Sequence, residues 1–251
     1  MNILSIGNSF AQDTMELLPH IAADLGQESV FSYLYIGGCP IGYHYINALD
    51  DVPVYQYHDH TGGQWEIRER VSVSQAISSR HWDWINIQHG SKDGRCYTDP
   101  VYYRHLEELV AIVRRLAGPD TKISFNMAWV PDPEKEHHEM VLFHQNDQKK
   151  MYDALVALTR DLVAPTPGID RVSPTGMAIQ IAREAGLPEL TRDHFHVSYG
   201  LGRYIAALTF LHALTGADIQ KVQWAPEDVT EELRAAAIRC ALEANRQWNA
   251  L

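Results

Sequence analysis

Two rhythms of apolar residues run along the chain. Short, nearly continuous apolar runs at 2–6, 30–36, 84–88, 122–126 and 169–172 have the length and content of strands buried on both faces. Between them, apolar residues recur at helical spacing. Met15, Leu18, Ala22 and Leu25 form one such stripe, closed by Gly26 and carrying Pro19 as an interior irregularity. Leu106, Leu109, Val113 and Leu116 form a second before Gly118-Pro119, Leu155, Leu158 and Leu162 a third, and Leu201, Ile205, Leu208 and Leu211 a fourth. A last helix is expected over 227–247. Strand and helix in alternation predict an α/β protein, a three-layer α/β/α domain around a five-stranded parallel sheet.

Two segments stand outside this alternation. Residues 53–71 read as a hairpin-like insertion around Gly62-Gly63, and residues 128–148 as a long excursion rich in Pro, His and acidic side chains. Both are expected at the rim of a binding site, because long loops at strand ends of α/β domains carry function. With 251 residues, 45% of them hydrophobic, and no linker-like stretch, residues 1–251 are expected to form one domain.

Charge and cysteine usage narrow the partners. A formal charge of −11 with scattered Lys and Arg leaves no basic face for nucleic acid or an anionic membrane, so a small uncharged substrate is expected. Cys39, Cys96 and Cys240 are too far apart for a metal or redox pair and are expected as reduced thiols. The strand-like run directly after Met1 leaves no room for a leader, and no window approaches 18 apolar residues. A cytoplasmic protein is therefore expected, barring removal of an export signal from this sequence.

Chemistry concentrates at the two ends. Gly7-Asn8-Ser9-Phe10 follows the first strand and precedes the first helix, which sets Ser9 in the crevice where open α/β sheets bind ligands. Ser9 reads as a nucleophile or as a simple helix N-cap. Near the other end stands Arg192-Asp193-His194-Phe195-His196. A serine hydroxyl needs a base, and the base needs a group fixing its tautomer. His196 and Asp193, three residues apart, supply both; His194 is the rival base, and a capping Asp with surface histidines is the plainer alternative.

A Gly-Asn/Asp-Ser turn near one end with Asp-x-x-His near the other resembles the SGNH (GDSL-like) hydrolase superfamily. Tyr35 to Cys39, Trp82 to Gln88, Pro174 to Gln180 and Arg192 to Tyr204 are similar to a bacterial subgroup catalogued as a domain of unknown function. The resemblance implies a flavodoxin-like fold, no cofactor, no metal, and Ser9, Asp193 and His196 as the catalytic residues. It also implies an oxyanion hole of the Ser9 amide, a glycine amide (Gly38, with Gly37 as rival) and a third donor. Gly90-Ser91-Lys92-Asp93 stands where that superfamily has Gly-x-Asn-Asp, so Gln88 is expected as the replacement donor, with His89 as alternative and a buried strand-end amide as the plainer role for Gln88. Gln88→Ala is then expected to lower turnover.

Tyr35, Tyr43, Tyr45, Tyr55, Tyr57, Trp65 and Trp129 gather near the expected crevice and suit stacking on sugars. Tyr35, Trp129 and His89 are the expected substrate contacts. The histidines at 58 and 60 and at 137, 138 and 144 lack metal-ligand spacing and are expected as loop residues. These features together predict a serine esterase removing a small acyl group, acetyl first, from a carbohydrate or related hydroxylated compound. A lipid or thioester hydrolase of the same fold, or a sugar-binding protein with weak catalysis, are the alternatives.

Overall fold

The computed structural model describes residues 1–61, 63–90, 100–134 and 136–251. Strand β1 (Asn2–Gly7) lies between β2 (Val30–Tyr35) and β5 (Trp84–Gln88), parallel to both; β6 (Lys122–Asn126) and β7 (Arg171–Ser173) extend the sheet beyond β5, also in parallel. These are the five strands legible as apolar runs.

The sheet nonetheless has seven strands, in the order β4-β3-β2-β1-β5-β6-β7. The insertion at 53–71 is a hairpin, β3 (Tyr55–Thr61) and β4 (Gln64–Val71), but it pairs antiparallel to β2 and widens the sheet instead of standing at the rim. The reason lies in its own pattern. Tyr55 and Tyr57 are fully buried against the sheet's second core, while the outer strand carries Glu66, Arg68, Glu69 and Arg70 along an exposed edge. Charge on an edge strand discourages further pairing.

Helices cover both faces. Ile3, Phe31, Tyr33 and Trp84 pack with α1 (Ser9–Met15), α2 (Leu18–Asp24), α8 (Thr175–Glu184), α9 (Leu201–Thr215) and α10 (Glu231–Trp248). Leu4, Ile6, Leu34, Ile85 and Ile87 pack with α3 (Ile41–Leu49), α4 (Val73–Ser78) and α5 (Pro100–Ala117). Successive residues of β1 thus feed opposite cores, as strand geometry requires. The irregularity at Pro19 resolves into a break: α1 ends at Met15, and Pro19 sits in the first turn of α2, where a missing N–H costs nothing. The excursion at 128–148 contains α6 (His138–His144), and α7 (Gln148–Leu158) runs into a π-helical turn over Thr159–Val163. Among the described residues, no helix is long and apolar enough to cross a membrane. Cys39 and Cys240 are free and buried; Cys96 lies outside the described residues.

Candidate active site

Ser9 is the first residue of α1, directly beyond β1. Two local features hold that turn. Gly7 lies so close to both α1 and β5 that an added Cβ would come within 2.6 Å of Ala11 Cβ and Gln88 Cβ, so only glycine lets the chain pass. Asn8 caps the helix, its Oδ1 accepting from the Phe10 amide at 2.9 Å, and its Nδ2 donates to the Cys39 carbonyl at 3.1 Å. Asn8 therefore ties the serine turn to the turn after β2. In that second turn the Cys39 amide donates to Ile36 O at 3.2 Å, and Gly38 takes φ +62°, a left-handed conformation suited to glycine. The amides of Ser9, Gly37 and Gly38 donate to no other described residue. For Ser9 this follows from its place at a helix start, where the first N–H groups have no intrahelical acceptor.

The 191–198 segment forms a narrow loop closed by a Thr191–Val197 bridge, with the Arg192 amide donating to His196 O at 3.0 Å and the Ser198 amide to Leu190 O at 2.8 Å. Arg192 braces it from below. Its guanidinium donates to Val197 O and to Asp13 at 3.0 Å, and Arg203 from α9 reaches the same carboxylate at 2.8 Å. Asp13 is fully buried on α1, so the loop is fastened to the helix that carries Ser9.

On this loop the side chains align. Asp193 Oδ1 accepts from the amides of Phe195 at 3.0 Å and His196 at 2.6 Å, and its Oδ2 lies 2.7 Å from His196 Nδ1. His196 Nε2 lies 3.0 Å from Ser9 Oγ. Partial burial pushes the Asp193 carboxyl up, but the His196 ring and the two amides outweigh it and hold it down at about 2. A carboxylate so placed keeps the proton on Nδ1 and leaves Nε2 as acceptor toward Ser9. His194, the rival base, turns away: its backbone is left-handed, φ +66°, and its Nδ1 lies 3.6 Å from Asp132.

A cavity of about 490 Å³ opens over this group, lined by Ser9, Gly37, Gly38, Tyr35, His196 and residues of the α6 segment. Tyr35 is where the sequence places it. Three other expectations are corrected. Gln88 is fully buried, with Nε2 donating to the carbonyls of His89 (3.1 Å) and Asn126 (3.3 Å) and Oε1 accepting from Asn126 Nδ2 (2.8 Å), so its amide is committed inside the sheet and does not line the cavity. His89 packs beside Phe125, ring centroids 5.7 Å apart, also off the cavity. Trp129 is buried beneath it, its ring tilted against Phe10 with centroids 4.3 Å apart and its Nε1 donating to Phe195 O at 2.8 Å. It steadies the loop from behind. Ser91, Lys92 and Asp93 lie outside the described residues.

Of the other aromatics, Tyr55 and Tyr57 are core and Tyr43 is exposed. The cavity's rings are instead Phe10, Tyr35, Phe195 and His137, the last stacked on Phe195 at 4.9 Å. Sequence reasoning also passed over Asn8, although an Asn ahead of an apolar helical stripe is a cap signal. Among the described residues, one triple brings possible metal-binding atoms within 4.8 Å: Asp132, Glu134 and His194. Asp132 is already engaged by Arg183 at 2.8 Å and by Thr191.

Five parallel strands in this order, with a serine turn beyond the first strand and an Asp-x-x-His loop near the C-terminal helices, make the fold that of the SGNH hydrolases. The chain belongs to the family described as Domain of unknown function (DUF4886), matched over residues 2–244. A DUF4886 family protein from Bacteroides uniformis is similar at 28% identity and a TM-score of 0.90, covering 97% of this chain and 94% of that one. An acetyl xylan esterase from Geobacillus stearothermophilus has a TM-score of 0.52 at 14% identity, covering 85% and 94%, and a lipase from goat rumen metagenome 0.54 at 13%, covering 87% and 99%. No curated protein matches the sequence.

Proposed function

We propose that this protein is a serine esterase that releases a small acyl group, acetyl first, from a hydroxylated compound such as a carbohydrate. The observation that carries this reading is the continuous run from Asp193 Oδ2 through His196 to Ser9 Oγ, at 2.7 and 3.0 Å, with Ser9 and His196 on the wall of one cavity. Ser9 Oγ attacks the ester carbonyl while His196 Nε2 takes its proton. The carbonyl oxygen gains the negative charge and is held by the amides of Ser9 and Gly38, on the cavity wall. His196 returns the proton to the departing alcohol, leaving Ser9 acylated. Water, deprotonated by His196, then attacks the acyl group, and the carboxylic acid leaves as Ser9 regains its proton. Tyr35 and Phe195 line the cavity and supply aromatic carbon for the alcohol half.

A longer acyl chain is the second reading, and one observation favours it: Val141, Leu142 and Phe143 on α6 are exposed beside the cavity segment. Hydrolysis of p-nitrophenyl acetate, butyrate and octanoate separates the two. The small-acyl reading expects kcat/KM to fall from acetate to octanoate and to vanish in Ser9→Ala; a rise with chain length favours the second reading. No turnover of any of the three esters by a folded wild type rejects both.

A further inference from the structure

Glu139 is the least explained group in the cavity. It lies in the first turn of α6, only 4% exposed, and lines the same cavity as Ser9 and His196. Its Oε2 is buried and takes no hydrogen bond from any described residue. A carboxylate in such a place loses its hydration with nothing in return, and native structures rarely leave a buried polar oxygen unmatched. Its place in the first turn of a helix offsets a part of that cost. No bonded partner completes it.

Among the described residues, the cavity lining offers no Lys or Arg to pair with it. Of the described lining histidines, His137 is stacked on Phe195, His138 is exposed and His196 faces Ser9 and Asp193. A negative group with no Lys or Arg beside it among the described lining residues also disfavours an anionic substrate. The partner that satisfies Glu139 must arrive with the ligand and bring hydrogen-bond donors. With the aromatic rings of Tyr35 and Phe195 lining the same cavity, a polyol or sugar ring with neighbouring hydroxyls fits these demands, its carbon skeleton against aromatic carbon and its O–H groups toward the carboxylate.

We propose that Glu139 is a specificity-determining residue that accepts hydrogen bonds from hydroxyls on the alcohol half of the ester. Assigning those hydroxyls to the alcohol half rests on the serine-esterase reading above. A site built to bond a substrate hydroxyl discriminates strongly against an analogue lacking it, because its own buried group is then left unpaired. The isosteric Glu139→Gln keeps the shape and removes the charge.

Two measurements on the full chain test this. In the first, binding of methyl β-xyloside and of glycerol is titrated by NMR against wild type and Glu139→Gln, with no turnover required. In the second, the ratio of kcat/KM for an acetylated methyl xyloside to that for p-nitrophenyl acetate is compared between them. Loss of a hydrogen bond to a charged group predicts a fall in affinity, and in that ratio, of about tenfold to a hundredfold. Thermal melting should show Glu139→Gln at least as stable as wild type, since an unpaired buried charge is removed; Glu139→Met serves if the amide variant fails to fold. Affinity and ratio both unchanged, or no polyol bound by a wild type that hydrolyses p-nitrophenyl acetate, overturns the proposal. A wild type that cleaves no ester rejects the esterase reading, and the binding measurement alone then decides the role of Glu139.

Discussion

Replacing Gln88 by alanine separates a structural amide from an oxyanion donor. The side chain is fully buried at the end of β5 and makes three hydrogen bonds with His89 and Asn126. Asn126 in turn bonds Thr14 at 3.1 Å and Thr175 at 2.6 Å, so the pair links β5 and β6 to α1 and α8. Gln88→Ala leaves the His89 carbonyl without this donor and removes one acceptor from Asn126 Nδ2, at about 1–3 kcal/mol for a stranded buried group. The cavity left by four heavy atoms adds to that, and a total of about 3–4 kcal/mol follows. For a domain of this size that is a fall in Tm of about 10 °C. Turnover should change little beyond this, by less than about tenfold, whereas removing an oxyanion donor costs about a hundredfold to a thousandfold in kcat. Thermal melting with p-nitrophenyl acetate kinetics on the same preparation reads both. A kcat reduced a hundredfold with Tm unmoved would refute this reasoning and restore Gln88 as a donor.

Asp193→Asn should lower kcat by about a thousandfold or more with little change in Tm, because an amide N–H facing His196 Nδ1 favours the tautomer whose Nε2 is protonated and cannot take the serine proton; activity within tenfold of wild type would count against Asp193 as the orienting group. Stability should also fall with acid through His44. Full burial holds this ring's pKa down to about 4 from 6.5, beside Tyr55 Oη at 2.9 Å. The folded state keeps His44 neutral while the unfolded chain takes a proton below 6.5, so its contribution is intact above pH 6.5 and is lost as pH falls to about 4. That interval corresponds to about 3 kcal/mol, measurable as a pH-dependent urea midpoint that flattens in His44→Gln.

The strands were legible because parallel strands covered on both faces need nothing but apolar side chains, and Ile3, Leu4 and Ile6 announce this regardless of what surrounds them. Pairing was not. Whether the hairpin of β3 and β4 stands at the rim or joins the sheet depends on the registry of Tyr57 with Leu34, a contact between distant residues. The site divides in the same way. Ser9, Asp193 and His196 sit in short motifs whose spacing already implies local geometry, and the structure brings their side chains together. Gln88 and Trp129 stand at strand ends, where the pleat and the neighbouring helices decide whether a side chain enters the cavity or the core. Glu139 looks like a solvated acid in a polar loop until α6 folds over the cavity and buries it.

The esterase account turns on whether Ser9 is an activated nucleophile. Intact-mass analysis after treatment with a serine-directed fluorophosphonate measures this without knowledge of the substrate. The account predicts a single covalent adduct mapped to Ser9, absent in Ser9→Ala and formed far more slowly in His196→Ala. A folded wild-type protein that stays unlabelled, or carries its adduct on another residue, would contradict it.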